Sequence, residues 1–380
     1  LLGASDNIQG NAGADVAIGG TGADQIQGDN AGAIIEAGFG NDLLIGDQGE
    51  LDYVTNVPLA RADLRVIFST DTVNGDGGVD IIQGDAGRDI LIGGVLGDML
   101  YGEASALGAI ALAGAGAYDD SILGDEGRVF FLVSGSDNVL DINGVPVTDT
   151  DPATIDVVET TQFALGADDS IFGGRGGDTA MGGTGADLIH GDNLPAGLET
   201  VQLGDDLLIG DQGRIINRLG ILDTVDTTDT SNADGAADTI YGNAGNDVIL
   251  GGVGGDFLHG EAETSALVNA TGSFNDIILG DEGIVDYNAT GTYRELQMIT
   301  TTDPLIGSAD TIFGNRGADI ALGGTGGDTI HGDVYRNNGV LTSVGAIAIG
   351  ELNDLLGGDH GRLTYVGGNL DVLFSIDTAQ

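Results

Sequence analysis

Twenty aspartates recur at fixed spacing in this 380-residue sequence, each just ahead of a short aliphatic triplet. They begin as trios nine residues apart: Asp6, Asp15 and Asp24; Asp80, Asp89 and Asp98; Asp169, Asp178 and Asp187; Asp238, Asp247 and Asp256; Asp310, Asp319 and Asp328. From the third aspartate, 18, 22, 19, 20 or 26 residues lead to a fourth copy at Asp42, Asp120, Asp206, Asp276 and Asp354, each followed by a Gly-Asp-x-Gly such as GDQG (46–49) or GDEG (124–127). Carboxylates set beside glycine turns offer oxygen and nothing else. That is the donor set of a hard cation, and calcium takes six to eight such oxygens. Two carboxylates held ~5 Å apart repel by roughly 3 kcal/mol at an effective dielectric near 20, so turns that stack them need a cation between. Aspartate suits turns without any metal, but asparagine would serve a turn as well, and all twenty positions are Asp. A second acidic set follows the strands: Asp29, Asp47, Asp85, Asp125, Asp192, Asp211, Asp281, Asp333 and Asp359, with Glu103 and Glu261 in alternate units. These read either as further ligands or as solvated turn residues.

The same spacing sets the elements that must hold the aspartates in place. In G-G-x-G-x-D the glycines adopt backbone conformations that side chains disfavour and close a tight turn. The next residues form a minimal strand whose middle side chain faces opposite to its neighbours. That middle position is always aliphatic: Ile8, Ala17, Ile26 and Leu44 at the start of the chain, Ile312, Ala321, Ile330 and Leu356 at the end. One copy cannot bury this side chain alone, so strand must stack on strand, about 4.8 Å apart. The flanking, outward residues differ between copies. In first and third copies they are often polar or aromatic (Asn7, Gln9, Thr311, Phe313, Thr329, His331), whereas in second and fourth copies they are apolar (Val16, Ile18, Ile90, Ile92, Leu207, Ile209, Val248, Leu250). An apolar outward face must be covered. The strand-like runs RVIFSTDT (65–72), RVFFLV (128–133), RIINRLGILDTV (214–225) and LDVLFSIDT (370–378) are candidates for the cover, and a neighbouring chain is the other.

The larger unit is about 70 residues long and occurs five times in one continuous solenoid: 1–74, 75–163, 164–232, 233–304 and 305–380. Units alternate, the first, third and fifth carrying GGTG before the third aspartate, the second and fourth carrying GGV and ending that copy with GE. Both ends fall on a unit boundary, and the parent polypeptide is expected to continue.

Composition narrows the function classes. The net charge is −49, with 60 acidic residues against 11 arginines and no lysine. Such a surface repels nucleic acid and anionic membranes and attracts cations. Hydrophobic residues make up 41% of the chain in short runs, too many for disorder. The absence of cysteine removes disulfides, thiolate metal sites and a cysteine nucleophile. No signal segment opens the chain, and its longest apolar run, 106–117, is glycine-broken and too short to be a transmembrane segment. A Walker loop needs lysine, and neither G-x-S-x-G nor H-E-x-x-H occurs, so no enzyme is expected. His190, His259 and His331 share one place in the third copy, but they lie in different units. Coils of ~5 Å separate them, which favours ordinary outer-face histidines over a zinc cluster. Thr21, Thr184 and Thr325 recur too sparsely for an ice- or carbohydrate-binding array, and the N-x-T triplets at Asn269 and Asn288 are weak glycosylation signals.

The nonapeptide resembles the repeats-in-toxin (RTX) calcium-binding β-roll, itself one of the recognised repeat periods. GGTGADQIQ (19–27), GGTGADLIH (182–190), GGVGGDFLH (251–259) and GGTGGDTIH (323–331) match in full. GNAGADVAI (10–18) has Asn for the second glycine, and GGVLGDMLY (93–101) has Leu96 where a glycine is expected. The resemblance implies an all-β chain, a right-handed parallel β-roll with two nonapeptides per coil; it covers about half the chain, and the remaining half is expected as loop and strand insertions that the family does not explain. It implies calcium held between turns stacked on one edge, so that the turns ending at Asp6 and Asp24 share one edge and those ending at Asp15 and Asp42 the other. It also implies export to the cell surface or beyond. On this reading the protein is an extracellular calcium-binding structural element, of surface-layer, filament or adhesin type, that folds on calcium and assembles with copies of itself. The alternative is the folding and secretion module of a larger RTX enzyme or toxin.

Overall fold

The computed structural model describes residues 3–29, 40–53, 64–103, 118–132, 139–141, 144–147, 151, 154–192, 204–261, 274–287, 294–332, 334–337, 340–343 and 353–375. The run 106–117, Asp333, Asn269, Asn288 and most of the loops between third and fourth copies lie outside them. Among the described residues every regular element is a strand. No helix is long and apolar enough to cross a membrane.

Two ten-stranded parallel sheets form the two walls of a β-roll. The first contains the strands of all first and third copies, from Asn7–Asn11 to Thr329–His331, and the second those of all second and fourth copies, from Val16–Ile18 to Leu355–Gly357. Register is uniform because each strand is only three to five residues long and its middle side chain must face inward. Ile8 pairs with Ile26 and Ile26 with Ile82; across the roll Ala17 pairs with Leu44 and Leu44 with Leu91. These side chains are the interior, a single file of aliphatic residues from each wall that packs into one cluster. Only at the ends is the file open, with Ile8 and Ile330 partly buried and Leu356 exposed.

A third, antiparallel sheet of ten strands lies over the second wall. It is made of hairpins that follow the Gly-Asp-x-Gly motifs: Gly49–Tyr53 with Leu64–Ser69, Gly127–Phe130 with Val157–Thr160, Gly213–Arg218 with Ile221–Thr227, Gly283–Tyr287 with Leu296–Thr301, and Gly361–Val366 with Asn369–Ser375. The strand-like runs after the fourth copy therefore supply the cover, and no neighbouring chain is needed for it. One aliphatic row runs across the whole sheet in register: Leu51, Ile67, Val129, Val158, Ile215, Val225, Val285, Ile299, Leu363 and Leu373. Its buried members pack on Ile45, Ile92, Leu123, Ile209, Leu250 and Leu279 of the wall beneath. The motif's last glycine makes the close approach possible. A β-carbon on Gly49 would lie 2.3 Å from Ile45 Cδ1, and Gly127, Gly213 and Gly283 repeat the contact with Leu123, Ile209 and Leu279.

Candidate calcium-binding edges

The turns that join the walls stack into two edges, and the aspartates form a ladder on each. On one edge stand Asp6, Asp24, Asp80, Asp98, Asp169, Asp187, Asp238, Asp256, Asp310 and Asp328. In every step the Oδ1 of one aspartate accepts the backbone N–H of the aspartate one coil before it, at 2.6–3.1 Å. On the other stand Asp15, Asp42, Asp89, Asp120, Asp178, Asp206, Asp247, Asp276, Asp319 and Asp354, joined in the same way at 2.7–3.1 Å. Asp6, Asp15, Asp328 and Asp354, at the ends, are exposed or half-buried; the others are buried.

Each carboxylate after the first on its edge thus spends one oxygen on the ladder, which leaves the second for other partners. Among the described residues, Oδ2 of Asp24, Asp80, Asp98, Asp169, Asp187, Asp238, Asp256 and Asp310 on the first edge has no hydrogen-bond donor. The same holds for Asp89, Asp178, Asp206, Asp247 and Asp276 on the second. A buried carboxylate oxygen without a donor is costly. These oxygens look into the turn, toward a glycine that has no side chain to block them. At Gly28 a β-carbon would sit 2.0 Å from Asp42 Oδ2 and 2.7 Å from the Gly84 carbonyl oxygen of the next turn. Orphaned oxygens, a cradle that a β-carbon would fill and an all-oxygen donor set fit a hard divalent cation. Among the described residues no three His, Asp or Glu side chains converge to make a metal site by themselves. Any ion on these edges would draw on stacked carboxylates together with turn carbonyls.

Burial pushes Asp80 up to about 7 and Asp310 up to about 8, with Asp24 and Asp328 respectively adding repulsion. Burial likewise takes Asp247 to about 8. The folded, cation-free edge therefore resists ionisation near neutral pH.

Most of the second acidic set is not solvated, which corrects one of its two readings. Asp29, Asp47, Asp85, Asp125, Asp192, Asp211 and Asp281 are buried, and among the described residues of the set only Asp359, at the end of the roll, is exposed. Several of these carboxylates clasp stacked turns. Asp47 accepts the N–H of Gly78 at 2.7 Å and that of Val95 at 2.9 Å. Asp125 does the same for Ala167 and Thr184, and Asp281 for Ser308 and Thr325. On the opposite edge Glu103 Oε2 accepts the backbone N–H of Arg175 and Glu261 Oε2 that of Arg316, each leaving its Oε1 without a donor. With both oxygens engaged, Asp47, Asp125 and Asp281 act first as backbone acceptors.

The histidines also differ from the expectation of ordinary outer-face residues. They belong to a stack of rings along the first wall: Tyr101, Phe172, His190, Tyr241, His259, Phe313 and His331, with neighbouring centroids 4.5–5.2 Å apart. His259 and Phe313 are wholly buried, and burial lowers His190 to about 4. No two histidines are adjacent. The signal was in the sequence, since all seven rings stand three residues after an aspartate of a first or third copy. Only the register turns that position into a stack.

A parallel roll with aspartate-glycine turns on both edges defines a cation-binding β-solenoid of the repeat class. Five segments, residues 2–32, 69–103, 163–193, 223–262 and 307–334, match the model of the RTX calcium-binding nonapeptide repeat (4 copies). Those segments carry RTX calcium-binding nonapeptide repeats, which makes the chain similar to that family over them and marks it as a calcium-binding repeat protein. No curated protein matches it.

Proposed function

We propose that this chain is an extracellular, non-catalytic structural element that folds on calcium. The observation that carries this reading is the pair of unbroken aspartate ladders with buried, donorless oxygens. The proposed ligands are the twenty ladder aspartates with the turn glycine carbonyls, and Asp29, Asp85, Asp192, Asp211, Asp333 and Asp359 are secondary candidates. Bound calcium supplies the positive charge that lets the ladder carboxylates remain ionised while stacked. At the low calcium of a cytosol the ladders repel and the chain stays unfolded; in millimolar calcium outside the cell it closes into the roll. Secretion follows from the same coupling, because an unfolded chain can be threaded out of the cell.

The cover sheet favours a structural element over a bare secretion module. It buries most of an outer wall, which ion-dependent folding of the turns does not require. The end coils support assembly with further copies. Val16 and Ile18 are exposed at one end, and Leu356, Leu373 and Phe374 at the other.

Far-UV circular dichroism with and without calcium tests the folding, and particle imaging tests the assembly. A disordered spectrum in chelator that becomes β-rich as calcium is restored is the expected outcome. A β-rich spectrum unchanged in excess chelator would sink the ion-coupled reading, and monodisperse single particles at every concentration would remove assembly.

A further inference from the structure

The alternation between units has a counterpart away from the turn ladders, where the cover sheet meets the roll. Asp71 lies two residues beyond the strand Leu64–Ser69, and Glu126 one residue ahead of Gly127–Phe130, the strand that pairs with it. Both are buried. The same arrangement recurs two units later with Asp229, after Ile221–Thr227, and Glu282, before Gly283–Tyr287. In each pair the two carboxyl groups lie within hydrogen-bonding reach of one another.

Their partners are too few. Asp71 accepts from the Gln48 side chain at 2.8 Å and from the Gln48 backbone N–H at 3.1 Å. Neither oxygen of Glu126 has a donor of ordinary geometry, although the Ser69 hydroxyl and the Asp71 backbone N–H lie close enough to favour its charged form. In the second pair both oxygens of Asp229 and Oε1 of Glu282 lack donors of ordinary geometry, although the Gln212 backbone N–H beside Asp229 and the Thr227 hydroxyl beside Glu282 favour the charged forms. Neighbouring Gln212 turns its side-chain nitrogen to Thr184 Oγ1 at 3.0 Å, and its own Oε1 is also buried without a donor. Among the described residues no arginine pairs with any of these four carboxylates. Two buried carboxylates side by side with no counter-charge are strongly unfavourable.

The alternate junctions provide an internal comparison. The positions equivalent to Asp71 there are Gln162 and Asp303, both with left-handed backbone (φ 63° and 41°), and Asp303 is exposed. The positions equivalent to Glu126 are Gln212 and His360, and His360 is held by Thr301 Oγ1 at 2.9 Å and Thr325 Oγ1 at 3.0 Å. No buried carboxylate pair arises at those junctions. Where the pair does occur, its donors are oxygens alone, the choice of a hard cation.

We propose that Asp71 with Glu126, and Asp229 with Glu282, form two further calcium sites, which latch the first unit to the second and the third to the fourth beneath the cover sheet. They share no carboxylate with the turn ladders.

Anomalous diffraction from crystals of the full chain, grown in calcium and soaked with a lanthanide, tests this directly. Peaks between both carboxylate pairs are expected. Peaks along the turn edges but none at the pairs would overturn the latch sites and leave the ladder reading intact; peaks at the pairs alone would do the reverse. In solution, the double variant Glu126→Gln, Glu282→Gln should bind one ion fewer for each pair by equilibrium dialysis while its circular dichroism in saturating calcium stays β-rich. An unchanged ion count would mean that the pairs share a proton instead and would overturn the proposal. If the double variant does not fold, the diffraction from the unaltered chain decides.

Discussion

A β-carbon on Gly191 would lie 2.1 Å from Asp206 Oδ2 and 2.6 Å from the Gly242 carbonyl oxygen, inside the space a ladder cation would use. Gly191→Ala is therefore expected to cost ~1–3 kcal/mol, as overpacking does, and to raise the calcium concentration needed for folding several-fold. Gly358, with nothing within 4 Å of a β-carbon, is the control, and Gly358→Ala should leave that midpoint where it is. Equal shifts for both variants in a calcium titration followed by circular dichroism would mean that the cradle is not part of the site. Leu96 shows the opposite tolerance. It stands where the repeat expects glycine and still takes φ 72°, a conformation costing roughly 1–2 kcal/mol for a side chain. The stacked turns hold the backbone there despite the substitution. Sequence alone located all twenty ladder aspartates, because their period is fixed by the turn. It could not say which acidic neighbours are clasps, since Asp47 and Asp85 look alike until the hydrogen bonds of the stacked turns are drawn.

At the scale of elements the cover sheet carries its own electrostatics. Arg218 pairs with both Asp141 and Asp223, and Arg214 with Asp226, on strands of the hairpins or beside them. Asp286 has no such arginine; burial, with Asp223 and Asp141 nearby, raises it to about 6. A carboxyl whose folded value exceeds its ordinary 3.8 holds its proton more tightly in the fold, so its contribution falls as pH rises from about 4 through about 6. Above that range the ionised group opposes folding. Asp286→Asn should then stabilise the protein by on the order of 1–2 kcal/mol at pH 7, the gain fading below pH 4. Melting temperatures in saturating calcium at the two pH values check this, and a gain independent of pH would refute it. The sequence pointed to the hairpin strands through their apolar alternation. What it left open was whether they or a second chain cover the wall, since an apolar face does not specify its partner.

For the whole molecule, folding is a contest between the aliphatic file with its cover and the repulsion of two acidic edges. Calcium is one way to neutralise the edges, and protons are another. Burial places Asp80, Asp247 and Asp310 at about 7 to 8 in the cation-free fold, above the ordinary value for an unfolded aspartate. Stability without calcium is therefore lost progressively as pH rises from about 4 up to that range and regained as pH falls back through the same interval. Calcium-free protein that is unfolded at pH 8 should recover β-structure toward pH 5, read by circular dichroism. A chain that stays disordered at pH 5 without calcium would show that the ion contributes directed coordination that protonation cannot replace.

By itself the sequence determined the period, the inward file and the acidic edges, because each follows from local rules: turn chemistry, strand alternation and charge. The tertiary structure decided everything that depends on which strands become neighbours. Stacking brought rings from different units into one ladder and folded the hairpins onto the second wall. It also set Asp229 against Glu282, more than fifty residues apart in the chain. Such pairings depend on register between coils, and no single repeat carries that information.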